Sequence, residues 1–195
     1  MNVVKIRSGD ALVIVDVQND FARPDGALSV PDGMAVLEPL NLCIERFRAA
    51  GAPVYATRDW HPANHCSFAD QGGPWPPHCV AQSPGAAFVS ELDLPPTTRI
   101  ISKAAGADEE AYSGFSGTDL ADQLRHAGVQ RLVVGGLATD YCVLQTVLDA
   151  LGHEFDVLLL VDAIRAVNVN PGDGDQAVRE MTEAGAQPVT SDLIT

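Results

Sequence analysis

Six short apolar runs recur along this chain, each separated from the next by stretches with a helical period. That alternation restricts the fold more than any other feature. The runs are ALVIV (11–15), PVYAT (53–57), RIIS (99–102), RLVVGGL (131–137), FDVLLLV (155–161) and a weaker QPVTS (187–191). Continuous Val, Ile and Leu without polar alternation predict strands buried on both faces. Between the runs lie MAVLEPLNLCIERFRAAG (34–51), TDLADQLRHAG (118–128), VLQTVLDALGH (143–153) and DQAVREMTEAG (175–185). The first two end in Gly, a common stop signal, and the second opens on Thr118 or Asp119 as a cap. Strands alternating with crossover helices predict a three-layer α/β/α sandwich around a mostly parallel sheet of about six strands.

The length of 195 residues suits one domain, 1–195, since a chain of this size buries ~70% of its unfolded surface around a single core. The exception to the regular alternation is 60–98, rich in Pro and Gly and too long for an ordinary connection. Such loops usually carry function, and this one is expected to wall an active site rather than form a second domain.

The formal charge of -14 argues against nucleic acid as a partner, because polyphosphate binding draws on clustered Lys and Arg. No apolar run approaches the ~20 residues of a membrane span and no export leader is visible, so the expectation is a soluble cytoplasmic protein without a membrane partner. The cysteines Cys43, Cys66, Cys79 and Cys142 form no CxxC pair, which favours reduced thiols.

In an open α/β sheet, ligands bind beyond the carboxyl ends of the strands. Asp16 follows ALVIV, Asp59 and His61 follow PVYAT, Lys103 follows RIIS, and Cys142 follows RLVVGGL at the head of a helix. A free cysteine is most often a small packing residue. At a helix start, however, N–H groups and the helix dipole favour a thiolate and can serve an oxyanion. Lys103 would add Coulomb attraction, and Asp16 could take the thiol proton and return it to a leaving amine. The competing readings are a turn cap for Asp16 and a solvated strand end for Lys103.

In DWHPANHC (59–66) and WPPHC (75–79), Asp59, His61 and His78 form a donor set suited to one divalent Zn, Fe or Mn ion. His65 is either a further ligand or an outer partner of the ligands. Cys66 and Cys79 read as packing residues.

Taken together, LVIVDVQNDF, ATRDWHPANHCSF, WPPHCV, AYSGF, GLATDYCV and DAIRAVN resemble the isochorismatase-like cysteine hydrolases, within them the nicotinamidase and pyrazinamidase branch. The resemblance implies a Rossmann-like sheet, a triad of Asp16, Lys103 and Cys142, and a metal on Asp59, His61 and His78, most often Zn. It also implies a cis peptide at Leu137–Ala138 that directs the N–H groups of Ala138 and Cys142 at an oxyanion, and a ring pocket lined by Phe21, Trp75 and Tyr112. The implied reaction is hydrolysis of nicotinamide, and of pyrazinamide, through a cysteine thioester in NAD salvage. Where many relatives carry Lys-Gly, this chain has Lys103-Ala104, a departure placed to alter the pocket lid.

Three rivals make different demands. A related cysteine hydrolase would act on another small amide, a carbamoyl compound or isochorismate. A metallohydrolase would attack with metal-bound water, and a non-catalytic binding protein would make the triad a coincidence. Homo-oligomer formation is left open by the sequence.

Overall fold

A computed structural model describes residues 3–195. Its elements, in chain order, are β1 (Asp10–Val15), α1 (Asn19–Ala22), α2 (Leu37–Ala49), β2 (Val54–Asp59), β3 (Arg99–Lys103), α3 (Leu120–His126), β4 (Arg131–Leu137), α4 (Leu144–Gly152), β5 (Asp156–Arg165), α5 (Asp173–Glu183) and β6 (Gln187–Val189). The strands form one sheet in the order β3-β2-β1-β4-β5-β6, and every neighbouring pair is parallel.

The side-chain alternation of β1 explains the three layers. Leu12 and Ile14 join Leu40, Ile44 and Phe47 of α2 in one core. Ala11, Val13 and Val15 join Leu120 and Leu124 of α3, Val147 and Ala150 of α4, and Ala177 and Met181 of α5 in the other. Each fully buried aliphatic side chain contributes ~1.5 to 3 kcal/mol, so helices on both faces are needed to bury both sets. The central strands therefore match the expectation of two-sided burial.

The edge strands depart from it. Arg99 and Ile100 of β3 and Gln187 and Pro188 of β6 are exposed, because an edge strand lacks a neighbour on one side and the flanking helices only partly cover it. The helix expected over 34–51 is also divided: a 3-10 turn occupies Gly33–Val36 and α2 begins at Leu37. Pro39 then falls in the first α-turn, where its missing N–H costs nothing. At α3, Asp119 occupies the cap position, but its side chain accepts Gln123 Nε2 at 2.9 Å instead of capping the backbone, while the Thr118 hydroxyl accepts the Leu120 N–H at 3.3 Å.

Gly136 permits the sheet to pass close beneath the strand ends. Its φ is +129°, and a Cβ there would meet the Val15 nitrogen at 2.6 Å. Gly136→Ala is expected to destabilise the fold by more than ~2 kcal/mol, combining a disfavoured φ with a backbone clash. Urea unfolding of the two proteins measures the difference.

Candidate active site and metal centre

The carboxyl ends of β1, β2, β3 and β4 bring Asp16, Asp59, Lys103 and Cys142 together, all of them buried. Asp16 adopts φ +50°, a left-handed conformation that Asp tolerates better than most residues, and this turns the chain sharply off β1. Its Oδ1 accepts the Thr57 hydroxyl at 2.6 Å. Its Oδ2 lies 3.0 Å from Lys103 Nζ but has no aligned hydrogen bond, so it retains a lone pair for an incoming proton. Lys103 Nζ also contacts the Asp59 carboxylate, the Ala111 carbonyl at 3.1 Å and Cys142 Sγ at 3.4 Å.

The protonation preferences follow from this arrangement. Burial opposes charge on Lys103, yet the Asp16 and Asp59 carboxylates overcome it and hold the ammonium well above its ordinary range. Burial raises Asp16 above the usual carboxylate value, against the pull of Lys103. For Asp59, burial is opposed above all by the Lys103 ammonium, and the group is held below the usual range. Burial also pushes the Cys142 thiol well above its ordinary value, and Asp16 and Asp59 add to this while Lys103 opposes it. The thiolate expected at a helix start thus meets an opposing effect: desolvation outweighs the Lys103 ammonium, and the thiol needs a base beside it.

The turn that carries Cys142 is a single π-type turn, Thr139–Val143, leading into α4. The Leu137–Ala138 peptide is cis, as the resemblance implies. The Tyr141 and Val143 N–H groups both donate to the Ala138 carbonyl, at 3.1 Å each.

Asp59, His61 and His78 converge so that one donor atom from each lies within 4.8 Å of the others. Both imidazoles are oriented for a cation: His61 Nδ1 donates to the Ala104 carbonyl at 3.1 Å and His78 Nδ1 to the Pro76 carbonyl at 2.8 Å. That assignment leaves each Nε2 with its lone pair free, the usual outer-partner pattern for metal-binding histidines. Burial lowers the His78 pKa, which favours the neutral, ligating form. The residues thus fit a divalent cation. Ala104 has φ +50° as it presents its carbonyl to His61, which is where the departure from Lys-Gly falls.

His65, undecided from the sequence, takes a different place. Its Nε2 donates to the Glu109 carbonyl at 2.9 Å and its Nδ1 contacts the Ser67 hydroxyl at 2.7 Å. With both nitrogens engaged it stacks on His61, ring centroids 4.1 Å apart, and supports that ring instead of joining the cation group.

A cavity of about 550 Å³, mouth included, opens over these groups; Phe21, Trp75 and Tyr112 line it together with Asp59, His61, His78, Ala138 and Cys142. Trp75 Nε1 donates to the Tyr112 hydroxyl at 3.1 Å and packs edge-on against Tyr141 at 5.3 Å. From 60–98, His61, His65, Ser67, Trp75 and His78 line this cavity.

Sequence reasoning missed Gln18, whose buried side chain donates to the Asp59 carbonyl at 2.8 Å and the Ala86 carbonyl at 2.9 Å. The same amide accepts the Asp59 N–H at 2.8 Å. A polar residue two positions after a buried strand was the available signal. Glu110, at the pocket mouth, was also missed.

The fold and donor arrangement define an α/β protein with a buried thiol, acid and amine beside a site for a divalent cation. The isochorismatase domain matches residues 10–192, and the chain belongs to that family. It is 40% identical to the Escherichia coli nicotinamidase, the match covering 90% of this chain and 92% of that protein. The pyrazinamidase of Pyrococcus horikoshii, crystallised with zinc, superposes with a TM-score of 0.89 at 51% identity, covering 93% of this chain and 99% of that one. PnC1 of L. infantum, crystallised with nicotinate, gives 0.91 at 36% identity, covering 99% and 98%.

Proposed function

We propose that the chain is a nicotinamidase, hydrolysing nicotinamide to nicotinate and ammonia, with pyrazinamide as a further substrate. The single observation that carries this reading is the juxtaposition of the Asp16, Lys103 and Cys142 cluster, which reaches an aromatic-walled cavity through Cys142, with an oriented Asp59, His61 and His78 group on the same cavity. The relatives named above support the substrate.

Asp16 takes the Cys142 proton, and the thiolate attacks the carboxamide carbon while Lys103 balances the developing negative charge. The N–H groups of Ala138 and Cys142 receive the oxyanion. Asp16 returns its proton to the departing nitrogen, so ammonia leaves and a thioester remains on Cys142. Water then attacks the thioester carbon and gives up a proton to Asp16. The carbon–sulfur bond breaks, nicotinate leaves and the thiol is restored.

Asp59, His61 and His78 would hold a divalent cation, with zinc the best match to this donor set, and the cation would supply a Lewis-acidic contact for the pyridine nitrogen. Phe21, Trp75 and Tyr112 clamp the ring. The domain spans 1–195, with 60–98 as the wall of the site. The four free cysteines are in keeping with work in a reducing cytoplasm, in NAD salvage.

Ammonia release from nicotinamide, compared with benzamide and an N-carbamoyl amino acid, tests the assignment. Benzamide presents the same carboxamide without the ring nitrogen, and its kcat/KM is expected to fall by ~10²-fold or more, as for a site left with an unpartnered polar group. Faster turnover of the carbamoyl compound than of nicotinamide transfers the assignment to that class.

A further inference from the structure

We propose that Glu110 is a charge-selecting residue at the pocket mouth, admitting neutral amides and speeding the departure of the carboxylate product. The inference rests on the amidase reading above. Residues 104–112 form a strap over one side of the cavity, fixed along its length. Cys66 N–H donates to the Ala107 carbonyl at 2.7 Å, His65 Nε2 to the Glu109 carbonyl at 2.9 Å and Lys103 Nζ to the Ala111 carbonyl at 3.1 Å. Three acids, Asp108, Glu109 and Glu110, follow one another on this strap, and of these Glu110 lines the cavity. Its carboxylate accepts the Tyr112 hydroxyl at 3.1 Å, and that hydroxyl in turn accepts Trp75 Nε1. The charge is therefore held at the mouth by a chain of hydrogen bonds spanning both rims.

No Lys or Arg is among the residues lining the cavity. Amide hydrolysis changes the charge of the ligand in place: a neutral carboxamide enters and a carboxylate must leave. Glu110 is nearly indifferent to the first and repels the second, so its effect falls on product retention and on the exclusion of anionic look-alikes. Two unit charges ~8 Å apart at an effective dielectric between ~40 and ~80 alter an anion's occupancy by about two- to sixfold.

Alkylation of Cys142 by iodoacetamide and iodoacetate, reagents of similar size and different charge, tests this on the metal-loaded protein, with mass spectrometry assigning the label. Glu110→Gln keeps the oxygen that accepts the Tyr112 hydroxyl and removes only the charge. The iodoacetamide-to-iodoacetate rate ratio at Cys142 is expected to fall about two- to sixfold in Glu110→Gln, with the difference shrinking at high salt. Glu109→Gln, which changes the net charge equally on a side chain outside the cavity lining, should leave the ratio as it is. In parallel, nicotinate should inhibit Glu110→Gln more strongly than wild type by the same factor, with little change in the nicotinamide KM. An unchanged ratio in Glu110→Gln, or an equal fall in Glu109→Gln, overturns the proposal. If the wild type fails to turn over nicotinamide, the substrate assignment fails, while the alkylation ratio still decides the role of Glu110.

Discussion

Cys142→Ala is expected to lower kcat/KM for nicotinamide by at least ~10³-fold, the scale on which loss of a covalent nucleophile acts. The folded structure should persist, because the substitution removes one small buried atom from a turn whose backbone is held by the Ala138 carbonyl. Cys142→Ser separates nucleophile identity from packing: it keeps the size but places a poorer nucleophile beside Asp16, and its rate should stay close to that of the alanine variant. Steady-state ammonia release, with circular dichroism to confirm folding, reads both. Activity surviving in Cys142→Ala but lost on chelation would instead assign the attack to a metal-bound water. The neutral resting thiol sharpens the expectation. Because Asp16 itself helps burial to hold Cys142 above its ordinary value, Asp16→Asn should cut turnover, which needs the proton acceptor, while leaving thiol alkylation at neutral pH no slower.

The second large effect concerns Lys103, a buried cation between two buried carboxylates. Lys103→Met keeps the length and apolar stem of the side chain and removes the charge, leaving Asp16 and Asp59 facing each other in a dry site. Breaking a buried ion pair from one side costs about 3 to 5 kcal/mol, and urea unfolding at fixed metal concentration should show a loss of that order. The sign of the pH dependence follows from linkage. Without the ammonium, the folded-state pKa values of both carboxyls rise above their unfolded values, so the variant is least handicapped below the unfolded values and loses stability as pH rises through the folded ones. Adding Asp16→Asn to Lys103→Met should recover part of the loss, since one of the two stranded charges is gone. An undiminished midpoint in Lys103→Met would mean that water reaches the cluster and screens it.

What could be read from the sequence divides along physical lines. β1 was legible because all six of its residues are buried and a strand with two covered faces has no place for polar alternation. β3 and β6 were legible as strands but not as half-exposed edges, since burial there depends on where the sheet stops. Asp16, Asp59 and Lys103 could be located because each ends or follows a strand, and parallel strands aim their carboxyl ends at one rim. Cys142 could be located as a thiol at a helix head, but its protonation could not: the competition between desolvation and neighbouring charge needs the distances. Trp75 and Tyr112 stand in irregular chain, and only the family resemblance connected them to the site, whereas His78 in WPPHC was legible as a third donor beside Asp59 and His61. Gln18 and His65 act through partners 41 and 44 positions away, and no local pattern encodes such a pairing; Glu110 meets Tyr112 only two positions on, but its place at the cavity depends on how the chain folds over it.

Gln18 has a mechanical consequence. With one amide it grips both the N–H and the carbonyl of Asp59 and reaches the Ala86 carbonyl on the far loop, so the exit of β1 and the end of β2 cannot slide past each other without breaking two buried hydrogen bonds. Asp16, just beyond one strand, and Asp59, at the end of the next, are thereby kept in fixed alignment. The sheet beneath the pocket then acts as an unmoving bench on which the two halves of the site stay in register.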